Sequence, residues 1–158
     1  MKLTAIINVQ KLQNDIVKNA FKGAPFEAAA NDFILGSEDG REDVKEFYVI
    51  WRGIAMYYIR REHLVIDRRA FRNGHAQNMN VLPILENLNL QPVTFEDKFE
   101  RINGKDYRIF DGDIYVEKAV TDYIAAPDLL TFYKNDNRAI VGVNANNDIE
   151  FYALPLRK

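Results

Sequence analysis

Apolar residues alternate at Leu3, Ala5 and Ile7, then change period: Val9, Leu12, Ile16, Ala20 and Phe21 recur three to four positions apart. Alternation is the period of a strand and the longer spacing that of a helix. The pattern therefore predicts a short strand and then a helix that Asn8 caps and Gly23 ends. Pro25 at a first helical position, an Ala-rich turn, Phe33 and Ile34, and Gly36 just beyond them predict a second helix. Ser37 to Asp43 is polar and contains Gly40, which predicts an exposed loop.

From Phe47 to Asp67 the chain is dense in β-branched and aromatic residues, grouped as Phe47–Trp51, Ile54–Ile59 and Leu64–Ile66. Three adjacent strands, broken near Gly53 and Glu62–His63, fit this grouping. A helix through Val44, Phe47, Trp51, Ile54 and Tyr58 has the right spacing, but Gly53 in its middle and the apolar residues between those positions oppose it. Asn73–Gly74 signals a turn, and Asn80 can cap a short helix over Val81–Leu88 with Pro83 in its first turn. Asn103–Gly104, flanked by Phe99–Ile102 and Tyr107–Phe110, is the strongest hairpin signal. Ile114 to Ile124 stays open, because Val116, Val120, Tyr123 and Ile124 are spaced as on a helix. Leu129–Tyr133, Ala139–Val143 and Ile149–Leu154 read as a β-meander joined by turns rich in Asn and Asp.

The expected architecture is α+β: an antiparallel sheet made of a central aromatic and Arg-rich meander and a C-terminal meander, two N-terminal helices, and a short middle helix. A chain of 158 residues matches one domain, and 47% hydrophobic with 28% charged residues is the balance of a folded chain, so residues 1–158 are expected as a single domain. The absence of cysteine excludes disulfides, thiolate metal sites and a thiol nucleophile. The apolar start is interrupted at once by Asn8, Gln10, Lys11 and Gln13, too soon for a signal peptide. No apolar run approaches the roughly 20 residues that span a bilayer. The expectation is a cytoplasmic or otherwise intracellular protein without a membrane partner.

Charge is distributed unevenly. The net charge of −2 divides into −1 over residues 1–45, +3 over 46–75 and −4 over 76–158. From Glu46 to Asp97 every positive charge is an arginine (Arg52, Arg60, Arg61, Arg68, Arg69 and Arg72), and the ten lysines all lie elsewhere. A guanidinium is a planar fork that grips carboxylate or phosphate through two bonds and stacks on rings, so a lysine-free cluster points to recognition. Tyr57, Tyr58, Trp51 and Phe71 are the nearby aromatic faces. Paired aromatics on strands place one ring inward and one outward, so exposed rings are expected. Ion pairing with the thirteen acids of residues 76–158 is the structural alternative for the same arginines. A hairpin turning at Glu62–His63 would place Arg60–Arg61 and Arg68–Arg69 at opposite ends.

His63 and His75 could act as an acid and base in phosphodiester cleavage, although they carry no paired histidine motif. Metal binding by the same pair lacks partners, because Glu62 and Asp67 are matched by arginines. Asp111-Gly112-Asp113 reads as a turn before a cation site, and Asn144–Glu150 as a hairpin connection, since it lacks the central Gly of a calcium loop. No phosphate-cradling glycine loop, nucleophile elbow or HExxH occurs. The sequence thus reads as a non-catalytic binding protein with no metal and no cofactor. Its expected contacts are Arg52, Tyr57, Tyr58, Arg60, Arg61, His63, Arg68, Arg69, Arg72 and His75, against nucleic acid or an acidic protein partner. A self-assembling subunit is the alternative and a small phosphodiesterase the third reading.

Overall fold

Asn8 starts the first helix as its position predicts: its Oδ1 accepts the Lys11 N–H at 3.0 Å and its carbonyl accepts the Leu12 N–H at 3.1 Å. Helix α1 (Val9–Ala20) buries the helically spaced Leu12 and Ile16 completely. The computed structural model describes residues 6–20, 33–66, 70–71, 76–78, 90–135 and 138–156. Leu3, Ala5, Phe21, Gly23, Pro25 with the Ala-rich turn, Asn73–Gly74 and the helix expected over Val81–Leu88 lie outside these residues. The described elements make an α+β chain dominated by antiparallel sheet, and none of its described helices is long and apolar enough to cross a membrane. They gather into two compact units, residues 8–87 and residues 88–158 with 1–7.

In the first unit, strands β1 (Phe33–Ser37), β2 (Glu46–Trp51) and β3 (Ala55–Arg60) run antiparallel in that order, with the short β4 (Gln77–Asn78) parallel to β1. Phe33, Ile34 and Gly36, expected to end a helix, instead form β1. The apolar run pairs Phe33, Ile34 and Leu35 with Trp51, Ile50 and Val49, and the Phe33 ring stacks on Trp51 at 6.0 Å. Partner strands outweigh local spacing here. β2 and β3 form the expected hairpin about Gly53, whose turn holds Arg52 and Gly53 at φ 52° and 68°. The third strand expected over Leu64–Ile66 does not form: Arg61–His63 is a 3-10 turn, and Leu64–Ile66 is irregular chain.

Tyr57 and Tyr58, expected to place one ring outward, are both buried. Strand β3 is covered on both faces, so alternation along it no longer separates inside from outside. The Tyr58 ring meets Tyr48 edge-on at 4.6 Å, and its hydroxyl is buried without a hydrogen-bond partner among the described residues. Burial, reinforced by Tyr48 and Glu46, pushes the Tyr58 phenol far above the ordinary value of 10.0.

The second unit begins with Ile7, bridged to Ile124, while the Ile6 carbonyl accepts the Ala125 N–H at 2.7 Å. Strand β5 (Gln91–Val93) is followed by β6 (Phe95–Ile102), β7 (Lys105–Phe110) and β8 (Ile114–Glu117), the last three forming an antiparallel sheet. Asn103–Gly104 makes the predicted two-residue turn, with φ of 50° and 83°. The open segment resolves into both forms, β8 followed by a short helix α2 (Lys118–Thr121). The C-terminal meander appears as β9 (Thr131–Lys134), β10 (Ile140–Val143) and β11 (Ile149–Ala153), with β5 added beside β9.

Arg108 organises the β6–β7–β8 sheet. Nearly buried at 8% exposure, its guanidinium lies 4.2 Å from the Phe95 ring and 4.5 Å from the Phe99 ring. It donates to Thr121 Oγ1 at 3.1 Å and to the Glu96 carbonyl at 3.0 Å. Burial lowers its pKa, opposed by Asp97 and Asp122. The planar fork both stacks and donates in two directions, which an ammonium cannot do.

Stability should respond to change at both buried groups. Tyr58→Phe removes an unsatisfied buried hydroxyl and is expected to stabilise the fold by about 1 kcal/mol in urea unfolding. Because the folded phenol ionises later than the unfolded one, wild-type stability should be full below pH 10.0 and fall above it. That alkaline loss should be shallower in the variant. Arg108→Lys should lower stability by about 2–3 kcal/mol, since the buried Thr121 hydroxyl and the part-buried Glu96 carbonyl lose their donors.

Candidate functional site

Arg60 closes β3 directly opposite Glu46, and the Arg61 N–H continues the ladder by donating to the Lys45 carbonyl at 2.8 Å. The chain then coils into the Arg61–His63 turn, where the Leu64 N–H donates to the Arg61 carbonyl at 3.1 Å. One side chain of α1 fixes the chain as it leaves this turn. The Gln13 Oε1 accepts the N–H groups of Val65 at 2.8 Å and Ile66 at 3.2 Å, and its Nε2 donates to the His63 carbonyl at 3.1 Å. Rotating this amide would turn its donors onto two N–H groups, so the network sets its orientation. Gln13 is itself 8% exposed. With their N–H groups taken by a side chain, Val65 and Ile66 have no backbone donors for a strand ladder, which is the physical reason the third strand is missing.

A groove of about 710 Å³ runs beside this turn, lined by Asp43, Val44, Lys45, Glu46, Arg60, Arg61 and Glu62. Its charged lining comprises three bases and three acids. One acid is already engaged: the Arg41 Nε and Nη2 donate to the two Asp43 oxygens at 3.0 and 2.8 Å. This bidentate bond holds the Asp43 carboxyl below its usual range, with Arg61 adding to the effect, and raises Arg41. Glu62 lies 3.8 Å from the His63 Nε2. Arg60 and Arg61 are both exposed, and among the described residues no carboxylate comes within ion-pair distance of either.

That sets them apart. Arg41 pairs with Asp43, Arg101 with Asp106, Arg108 with Asp97 and Arg138 with Asp113. Arg52 lies at the turn end of the β2–β3 hairpin, its guanidinium 5.5 Å from the Trp51 ring. A six-residue strand, roughly 20 Å long, separates it from Arg60, so the two do not converge. Tyr57 and Tyr58 are buried and offer no stacking face, and Phe71 is buried as well. His63 is exposed beside the groove; Arg68, Arg69, Arg72 and His75 lie outside the described residues. Sequence reading missed Gln13, whose polar side chain on a helix carries no motif, and Val65, which protrudes at 80% exposure from the segment that Gln13 holds.

The acidic segments elsewhere are structural. Asp111 and Gly112 take the positive φ values of a tight turn, and Asp111 and Asp113 pair with Lys134 and Arg138 at 2.8 Å each. Asn144 Oδ1 closes the β10–β11 connection by accepting the Asn146 and Asp148 N–H groups. Among the described residues no group of three or more His, Asp or Glu is placed to hold a metal ion.

Comparison with protein-family models, curated proteins and solved structures gives no match to this chain. Function is therefore read from the side chains of the site alone.

Proposed function

We propose that this chain is a non-catalytic binding protein whose Arg60–Arg61 groove receives an acidic segment of a partner protein. The observation that carries this reading is the pair of exposed, adjacent guanidiniums without a carboxylate partner among the described residues, where β3 passes into the turn whose exit Gln13 holds. Each fork can take a carboxylate bidentately. Val65, exposed and close to them in sequence, offers apolar contact of the kind found at the centre of protein interfaces.

Nucleic acid is the second candidate, and the site supports it less well. Single strands are held by rings as well as by cations, and the tyrosines nearest Arg60 are buried. An intracellular location accompanies this proposal.

Fluorescence anisotropy with a labelled oligoglutamate peptide, single-stranded DNA, duplex DNA and RNA tests the reading. The peptide is expected to bind wild type and to weaken at least about 10-fold in Arg60→Gln/Arg61→Gln, a loss of about 1.4 kcal/mol or more. Nucleic acid binding that falls steeply with salt and vanishes in the variant would transfer the site to phosphate. No binding of any probe by wild type would reject the groove as an anion site.

A further inference from the structure

Strand β6 spans eight residues at the edge of the β6–β7–β8 sheet. Asp97, Lys98, Phe99, Glu100 and Arg101 are all exposed. The ladder with β7 is regular from Phe99 to Ile102 and changes register between Phe95 and Phe99, so Asp97 and Lys98 take no partner from β7. An exposed edge presents backbone donors and acceptors to another strand, and natural edges discourage this with charge. Here the charges are arranged so that they do not repel a second copy.

We propose that β6 is a self-association edge, pairing antiparallel with β6 of a second copy of this chain about a two-fold axis at Phe99. In that register Asp97 faces Arg101 and Lys98 faces Glu100, each pair occurring twice by symmetry, and Phe99 faces its own mate. Neighbouring registers lose this match. Centring on Lys98 opposes Glu96 to Glu100; centring between Phe99 and Glu100 opposes Lys98 to Arg101; parallel pairing in register sets every charge against itself. The pattern therefore selects one orientation and one register. Within one copy Asp97 reaches Arg108 at 3.6 Å and Arg101 reaches Asp106 at 3.3 Å, yet their side chains stay 91% and 68% exposed and can share a second partner. The contact covers about five residues on each side, so the dimer is weak and concentration-dependent.

Sedimentation velocity on the full chain from about 5 to about 500 μM decides the matter, a range that brackets weak self-association. Wild type should pass from monomer to dimer. Asp97→Arg and Arg101→Asp should each be monomeric, because each sets like charges together, whereas their equimolar mixture should dimerise, since one copy then presents two bases to the other's two acids. Should Asp97→Arg disturb folding through Arg108, Lys98→Glu and Glu100→Lys provide the same test at positions that form no ion pair within one copy among the described residues. Wild type that stays monomeric throughout, single variants that dimerise like wild type, or mixtures that stay monomeric would each overturn the proposal.

Discussion

One buried amide holds the exit of the turn beside the candidate site. Gln13 satisfies two N–H groups and one carbonyl of the chain leaving the Arg61–His63 turn, and it is itself out of water. A chain whose backbone polar groups were left to solvent would sample many conformations, and the turn beside the groove would lose its anchor. Here the turn is tied to α1, whose own start is fixed by the Asn8 cap and whose apolar face is sunk through Leu12 and Ile16. The chain of dependence runs from a helix cap, through a helix register, to the exit of the turn that Arg61 begins, while Arg60 itself is placed by its pairing with Glu46 in the β2–β3 ladder.

The charged groups divide by what they do. Most described arginines are spent internally: Arg41 on Asp43, Arg138 on Asp113, and Arg108 on two aromatic rings, the buried Thr121 hydroxyl and the Glu96 carbonyl. Such pairs brace turns and a sheet face, and those at the surface add little to stability. Arg60 and Arg61 lie instead beside a groove, with a protruding Val65 close by in sequence. The β6 edge shows a second way of using charge, where alternation of sign along a strand is a code for its own copy.

Local chemistry is legible in the sequence wherever it is set by a few adjacent residues. Asn103–Gly104 and Asp111–Gly112 turn because their backbone takes positive φ, and Asn8 caps because its side chain reaches the next turn. The C-terminal meander follows from alternation between such turns. Phe33–Ser37 is misleading in sequence because a short apolar run fits a helix end and a strand equally well, and its pairing with β2 decides. Leu64–Ile66 has strand-forming residues but loses its donors to Gln13, more than fifty positions distant for Ile66, which no local pattern encodes. For the site, Arg60 and Arg61 stand out by composition; the burial of Tyr57 and Tyr58 does not, because it depends on both faces of β3 being covered.

Native-state hydrogen exchange at Val65 and Ile66 in wild type and Gln13→Ala, combined with binding of the acidic peptide by both, tests the dependence most directly. Protected amides are expected in wild type, with exchange at least about 10-fold faster in Gln13→Ala, corresponding to loss of roughly one hydrogen bond's worth of local stability or more, and weaker peptide binding in the same variant. Unchanged protection at Val65 and Ile66 with Gln13 removed would contradict that dependence, and so would faster exchange with undiminished binding.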